Sequence, residues 1–451
     1  MKSSGEDLPT IAALATASGA AALAVVRISG PDAIGVADRL TAGRASRARE
    51  REAVLCKARD AEGGVLDEVL MTVFQAPRSY TGENLVELSG HGGMLVSRNL
   101  LARVIACGAV SAGPGEFTQR AFLNGKLDLT QAEAVMDIIS AQTELGLRAA
   151  REQLAGRIGV MVGAACEALL GVVAHVEAHI DFPEEDIDPR TGDEICEKIR
   201  QVSADIERLM ATAERGRILR EGVRTVICGA PNVGKSSMLN RLLGYERAIV
   251  SELPGTTRDT IEDVVQVAGI PLRLVDTAGV RHADDRIERE GVVRTLREID
   301  AAELLLEVVD ASRAPDEAAM VGRASGCRHI LVLNKSDLGC HPGWEGMAGC
   351  RLSCRQDVGF PELEETIREA LQFGAEDWGS HAVAVNVRHQ ECLRRAHEAL
   401  AAAGAMVEWR GAPEFAAVEL REALDALGEI TGRIDTEDVL GVIFSTFCIG
   451  K

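Results

Sequence analysis

The octapeptide Gly229-Ala230-Pro231-Asn232-Val233-Gly234-Lys235-Ser236 constrains this chain more than any other stretch. It satisfies G-x-x-x-x-G-K-[ST], a spacing at which a glycine-rich turn wraps a phosphate. The apolar run Val223 to Cys228 reads as a buried strand ahead of it. Ser237 to Leu243 reads as the first turns of a helix behind it. In that strand, loop and helix order, backbone N–H groups converge on phosphate oxygens, with the positive end of the helix adding to their pull. Lys235 then reaches the outer phosphates, and the Ser236 hydroxyl ligates magnesium.

Three more motifs follow in order. Pro254-Gly255-Thr256-Thr257-Arg258-Asp259 is a loop with a hydroxyl suited to a second protein position on magnesium. Asp276-Thr277-Ala278-Gly279 ends a strand. Asp276 there holds magnesium through water, and Gly279 offers its N–H to the terminal phosphate. Asn334-Lys335-Ser336-Asp337 ends a later strand and selects the base. A carboxylate at Asp337 accepts from the ring N–H and amino group of guanine. Adenine has neither donor there, and the unpaired acceptor costs roughly 1–3 kcal/mol. Ser353-Cys354 sits where a backbone N–H meets the guanine carbonyl. The residue after Gly279 is Val280, which cannot orient water as the glutamine of Ras-like enzymes does. Asp284, Asp285 and Glu288 are the acidic candidates that follow, and spacing does not choose among them.

A chain of 451 residues has room for about three domains. Its short apolar runs Leu272 to Val275, Leu304 to Val309 and Ile330 to Leu333 each end at a polar motif, as in an open parallel sheet. Residues 1–119 read as a separate α/β domain, with strands Leu23 to Ile28, Val69 to Phe74 and Leu85 to Ser89 and a helix from Gly93 to Ala106. Residues 120–221 read as helical. There Ile195, Ile199, Val202, Ile206, Leu209 and Ala213 form a heptad-like stripe. Residues 222–375 hold the nucleotide motifs, and 376–451 are helical again, with Pro413 and Thr436-Glu437-Asp438 as helix starts. The fold class expected is multidomain α/β plus α, a P-loop domain inserted into a discontinuous helical bundle.

The formal net charge of −20 disfavours broad binding to nucleic acid or anionic membrane, so a nucleic-acid partner needs a local basic patch or a second protein. Eleven scattered cysteines without a C-x-x-C pair suggest reduced thiols in a cytoplasm. No secretory signal and no membrane span are expected. His175 and His179, four apart on a helix, read as a polar face rather than a metal pair. Cys448 reads as a small apolar residue in a docking helix.

The chain resembles the MnmE (TrmE) family of tRNA modification GTPases over its whole length. Beyond the nucleotide motifs, the resemblance rests on Thr10-Ile11-Ala12-Ala13, Val26-Arg27-Ile28-Ser29-Gly30-Pro31, Ser79-Tyr80-Thr81-Gly82-Glu83 and Gly90-His91-Gly92-Gly93. It continues through Pro114-Gly115-Glu116-Phe117-Thr118, Lys126 to Ala134 and the tail Phe447 to Lys451. It implies an N-terminal folate-binding domain that dimerises, and a flavoprotein partner, MnmG, in a heterotetramer. Together they would place an aminomethyl or carboxymethylaminomethyl group on carbon five of the wobble uridine of certain tRNAs. The implied one-carbon carrier is 5-formyl- or methylene-tetrahydrofolate, at Arg27, Glu87, Lys126 and Lys451. The implied GTP/GDP site comprises Asn232, Val233, Gly234, Lys235, Ser236 and Ser237, then Ser251, Glu252, Leu253, Pro254, Gly255, Thr256 and Thr257. It also takes in Asp276, Thr277, Ala278, Gly279, Asn334, Lys335, Asp337, Ser353 and Cys354. Magnesium falls to Ser236 and Thr257, and an activating potassium to Asn232, Ser251, Leu253 and Thr256. Glu288 matches the family's water-orienting glutamate, and Cys448 a tail cysteine with a catalytic role. Two departures stand out. Ala17 to Ala22 replaces the family's Pro, Gly and Arg residues, and Ser353-Cys354-Arg355 replaces Ser-Ala-Lys. The rival reading is a GTP-dependent switch that docks on RNA in ribosome assembly.

Overall fold

The computed structural model describes residues 8–17, 19–181, 190–244, 263–275, 299–316, 327–373, 385–408, 413–433 and 437–451. They divide into two compact units, residues 1–136 with 428–451, and residues 137–427.

The first unit is built on a sheet of β1 (Ile11–Leu14), β2 (Leu23–Ser29), β3 (Ala53–Arg59), β4 (Val65–Phe74), β5 (Leu85–His91) and β6 (Val110–Ser111), in the order β3-β4-β5-β2-β1-β6. Every pairing is antiparallel except β1 with β6. Along β4, Val69, Met71 and Val73 are buried while Glu68 and Leu70 are exposed, the alternation of a sheet covered on one face. Helices Ala33–Thr41 and Met94–Ala106 supply the cover, and Leu40, Leu100 and Val104 share one core with Val26, Ile28 and Leu88. The sequence reading finds three of these strands. It misses the two-residue β6, and also β1 and β3, whose Ile-Ala-Ala-Leu and Ala-Val-Leu-Cys-Lys-Ala-Arg hold few β-branched residues, so pairing rather than propensity makes them strands. Helix Glu116–Leu123 also begins earlier than Arg120, where the sequence reading turns helical.

The end of the chain packs within this unit. Leu440, Phe444 and Phe447, on and just after helix Glu437–Ser445, share a core with Phe122, Leu129 and Ala132. Ile449 bridges to Pro114, and the Phe117 N–H donates to the Lys451 carbonyl at 3.1 Å. Gly115 lies at φ 64°, where a Cβ would press within 2.9 Å of Phe447.

In the second unit the heptad-like stripe is buried from Ile199 to Ala213 and half-buried at Ile195, but it does not run along one helix. Helix Arg190–Met210 stops, and Ala213 opens the next, Ala213–Glu221. Ile199 lies against Gly404, and Ser203 bonds His397 at 3.0 Å, both on helix Val387–Glu408. Helices from before and after the nucleotide motifs thus pack together, and the sheet between them is an insertion. Helix Arg157–Asp181 bears on the expectation that no segment spans a membrane, by length and composition only. Over Arg157–Ala178 it is long and apolar enough to cross a membrane, at mean hydropathy 1.8 with 39% of the window buried. Its Val162, Leu169 and Val172 are buried, while Val160 and Leu170 are exposed.

The inserted sheet comprises β7 (Val223–Cys228), β8 (Asp263–Val267), β9 (Ile270–Leu274), β10 (Leu304–Asp310), β11 (Arg328–Asn334) and β12 (Cys350–Arg351), in the order β12-β11-β10-β7-β9-β8. All pairs are parallel except the hairpin β8–β9. Its strands are apolar nearly throughout, as burial on both faces requires. β8, a half-buried hairpin strand, and the two-residue β12 are the ones the sequence reading lacks.

Candidate functional sites

Parallel strands release their chain at one edge, and β7, β10, β11 and β12 deliver the sequence motifs there. Gly229 leaves β7 at φ 134°, and a Cβ on it would lie 2.1 Å from the Val308 carbonyl oxygen. Asn232 is left-handed at φ 64°, a conformation asparagine tolerates. Gly234, at φ 106°, leaves room for the Asn334 amide, which a Cβ would meet at 2.1 Å. Asn334 is the joint of the site. Its Nδ2 donates to the Val233 carbonyl at 2.8 Å, and its Oδ1 accepts from the Cys354 N–H at 3.2 Å. The phosphate loop, the Asn334–Asp337 corner and the Ser353–Cys354 loop are therefore locked to one buried side chain. Of the Ser353-Cys354 pair, expected to offer a backbone N–H to a guanine carbonyl, the Cys354 N–H is engaged by Asn334 here.

Asp337 is held by Ser353, whose hydroxyl donates at 2.6 Å. Lys335 spans back to Asp310 at 2.7 Å. Burial alone would raise the Asp310 carboxyl, but hydrogen bonds from Lys335 and Ser312 outweigh it and hold the pKa below the ordinary value. The sequence reading notes a polar motif after Val309 but gives Asp310 no role. Lys235 donates to the carbonyls of Gly229 and Ala230 at 2.8 and 2.9 Å, and desolvation lowers its pKa. Ser236 and Ser237 are exposed on the first turn of helix Lys235–Gly244. Ser251, Glu252, Leu253, Pro254, Gly255, Thr256, Thr257, Asp276, Thr277, Ala278, Gly279 and Glu288 lie outside the described residues.

The first unit gathers a second site. Arg27 and Glu87 face each other across β2 and β5, and Arg27 Nε and Nη2 both bond Oε1 of Glu87, at 3.0 and 2.9 Å. The Arg27 guanidinium carbon lies 5.5 Å from the Tyr80 ring centroid and 5.7 Å from that of Phe117, within cation–π range. Tyr80 is fixed through its hydroxyl to Thr118 at 2.9 Å, and burial pushes its phenol up. Lys451 belongs to the same cluster. Burial first and the Arg27 charge second lower its pKa, while Cys448 and Glu87 oppose them. The Cys448 carbonyl accepts from the N–H groups of Gly115 and Lys451. Arg27, Glu87, Lys451 and Cys448 thus come together. Lys126 instead donates to the Pro77 carbonyl at 3.1 Å and is exposed. Tyr80 and Phe117 are the residues sequence reasoning leaves without a role. In a chain only 3% aromatic, rings within two motif segments were the available signal.

Among the described residues no group of three or more His, Cys, Asp or Glu could hold a metal, and His175 is exposed on its helix. All eleven cysteines are free.

A mostly parallel sheet in which Asn334 ties the phosphate loop to the Asn334–Asp337 corner and the Ser353–Cys354 loop is a P-loop guanine-nucleotide fold, here carried as an insertion between helices. A family model for the MnmE helical domain matches residues 129–448, and one for the GTP-binding protein TrmE N-terminus matches residues 10–126. The tRNA modification GTPase MnmE of Akkermansia muciniphila is 53% identical over 98% of this chain and 99% of that protein. Those of Opitutus terrae and Aquifex aeolicus are 45% and 42% identical, again over 98% and 99%. The chain belongs to the MnmE family. A solved G domain of the T. maritima FeoB iron transporter, 25% identical, covers 33% of this chain and 98% of that one. Its TM-score of 0.25 is too low to bear on the fold.

Proposed function

We propose that this chain is a potassium-activated GTPase that works with the flavoprotein MnmG on the wobble uridine of certain tRNAs, adding an aminomethyl or carboxymethylaminomethyl group at carbon five. What carries the reading is membership of the family over nearly the whole chain together with the meeting of Arg27, Glu87 and Lys451, far apart in sequence, at one place. GTP hydrolysis in tRNA modification is the coarse activity, and the cation, the one-carbon unit and the assembly are the finer parts of the proposal.

The residues present suit the groups this reading needs. Ser236 offers a hydroxyl at a helix start beside Lys235, as a magnesium–phosphate pair requires. Asn232 stands exposed at the turn of the phosphate loop, with an oxygen suited to potassium. With Ser251, Leu253 and Thr256 it would hold that cation, whose charge replaces an arginine finger. Asp337 would read guanine, and Glu288 would orient water in place of the glutamine that Val280 rules out. For a tetrahydrofolate derivative, Glu87 keeps Oε2 without a hydrogen bond among the described residues, able to accept from a pterin N–H edge. The Arg27, Lys451 and Lys126 charges suit carboxylates, and the bound folate supplies a one-carbon unit at a transferable oxidation level. Tyr80 and Phe117 hold Arg27 in place, and Cys448 stands beside Lys451. Domains 1–119, 120–221, 222–375 and 376–451, acting as a homodimer in a cytoplasm, complete the reading.

Two measurements test it. Mass spectrometry of wobble uridines from a strain lacking the protein should show the modification lost. Intact modification would favour an RNA-docking switch in ribosome assembly. GTP turnover should be faster in potassium than in sodium, and Glu288→Ala should depress it by orders of magnitude while nucleotide binding persists. Equal rates in the two salts would remove the cation from the proposal.

A further inference from the structure

A chain with a formal charge of −20 repels RNA unless cations are concentrated somewhere on its surface. In the first unit one segment concentrates them. Residues 44–52 hold four arginines, Arg44, Arg47, Arg49 and Arg51, against Glu50 and Glu52. All four arginines are exposed. The backbone that displays them is held in place. Ala45 is buried, the Ser46 N–H donates to Asp38 at 3.0 Å, and the Arg51 N–H donates to the Val73 carbonyl at 2.8 Å. Glu50 is largely covered and lies between Arg78 at 2.5 Å and Arg51 at 3.7 Å, so one carboxylate serves two guanidiniums. The Arg49–Glu52 pair, at 3.6 Å with Arg49 85% exposed, is the weak surface kind that a phosphate can displace.

The patch also has a direction. Arg51 donates to the Arg78 carbonyl at 2.7 Å, and Lys126 to the adjacent Pro77 carbonyl at 3.1 Å. Two residues past Arg78, Tyr80 lies against Arg27. Contacts through residues 77–80 therefore link the arginine segment and Lys126 to the Arg27–Glu87–Lys451 cluster.

We propose that Arg44, Arg47, Arg49 and Arg51, continued by Arg78, form the surface on which this chain takes the phosphate backbone of its RNA, leading it toward Arg27 and Lys451. The proposal rests on the tRNA reading above and adds to it which face of which unit meets the RNA. Bidentate guanidiniums suit phosphate oxygens better than lysines do.

The test uses the full chain with an unmodified tRNA transcript across a salt series. Arg44→Gln, Arg47→Gln and Arg49→Gln together should weaken binding by about tenfold or more. The plot of log affinity against log salt should become shallower by about 0.7–0.9 for each phosphate no longer neutralised. GTP turnover without RNA should not change, which shows that the variant is folded. If the triple variant does not fold, Arg49→Gln alone should still lower the salt slope. Arg200→Gln with Arg208→Gln, on helix Arg190–Met210 of the other unit, should leave affinity and slope as they were. An unchanged slope in the triple variant overturns the proposal, and so does an equal loss in the Arg200 and Arg208 control. Displacement by polyglutamate as effective as by polyuridylate would assign the face to an acidic protein instead. A wild type that binds no tRNA overturns this surface alone, because wobble-uridine analysis judges the reaction separately.

Discussion

At the residue scale, one carboxylate holds the Gly90-His91 end of β5. Asp67 accepts the His91 N–H at 2.8 Å and the His91 ring at 2.6 Å, and Gly90 is small because a Cβ there would meet Asp67 at 2.5 Å. Burial alone would raise the Asp67 pKa, but hydrogen bonds from His91 and Glu68 outweigh it, and the carboxyl titrates below its ordinary value. A lowered folded pKa gives stability that is complete above the unfolded value of about 3.9 and drains away as pH falls through the folded one. Asp67→Asn should therefore cost about 1–3 kcal/mol near neutral pH. Urea unfolding should show the gap between variant and wild type narrowing as pH drops below about 4. A gap that stays constant with pH would mean that Asp67 contributes shape rather than charge. The sequence reading marks Gly90-His91-Gly92-Gly93 as a signature but offers no reason for it. The reason sits on a neighbouring strand, more than twenty residues away, where no local pattern reaches.

At the element scale, the β8–β9 hairpin is the part of the inserted sheet least visible in the chain. Its turn, Ala268-Gly269, has both residues at positive φ, as a two-residue hairpin that follows the strand twist demands. Alanine gives no signal of that. The tip is also keyed to a helix, since a Cβ on Gly269 would lie 2.3 Å from the Leu145 Cδ1. Leu145 and Ala149, on helix Glu144–Leu154, join the same core as Val265, Ile270 and Leu272. Gly269→Val should destabilise the unit by about 1–3 kcal/mol through overpacking and an unsuitable φ. In a double-mutant cycle, adding Leu145→Ala should return part of that loss, with a coupling energy of about 0.5–3 kcal/mol by denaturant unfolding. Strictly additive losses would show that tip and helix act independently. β7, by contrast, was legible to the residue, because a largely buried strand, mostly apolar, runs straight into a glycine-rich loop.

At the scale of the whole molecule, the last residues complete the first unit. Phe117 contributes its ring to Arg27 and its N–H to the Lys451 carbonyl, so the tail and the arginine are positioned by the same residue. Deleting residues 448–451 leaves that buried N–H without its partner, a loss of about 1–3 kcal/mol. Hydrogen exchange over residues 114–122 should accelerate by about tenfold or more, while GTP turnover, whose described motifs lie in residues 137–427, persists. Unaltered exchange would show that the tail adds nothing to the unit it packs in.

The phosphate loop, the Asn334–Asp337 corner and the alternation of helical and sheet regions were determined by the sequence alone, because each depends on spacing within one turn, strand or helix. Asn334 as the joint of three loops, Tyr80 and Phe117 around Arg27, and the place of Lys451 were decided only by tertiary structure. Those interactions join residues tens to hundreds of positions apart, and what brings them together is strand pairing and burial, which no local spacing encodes.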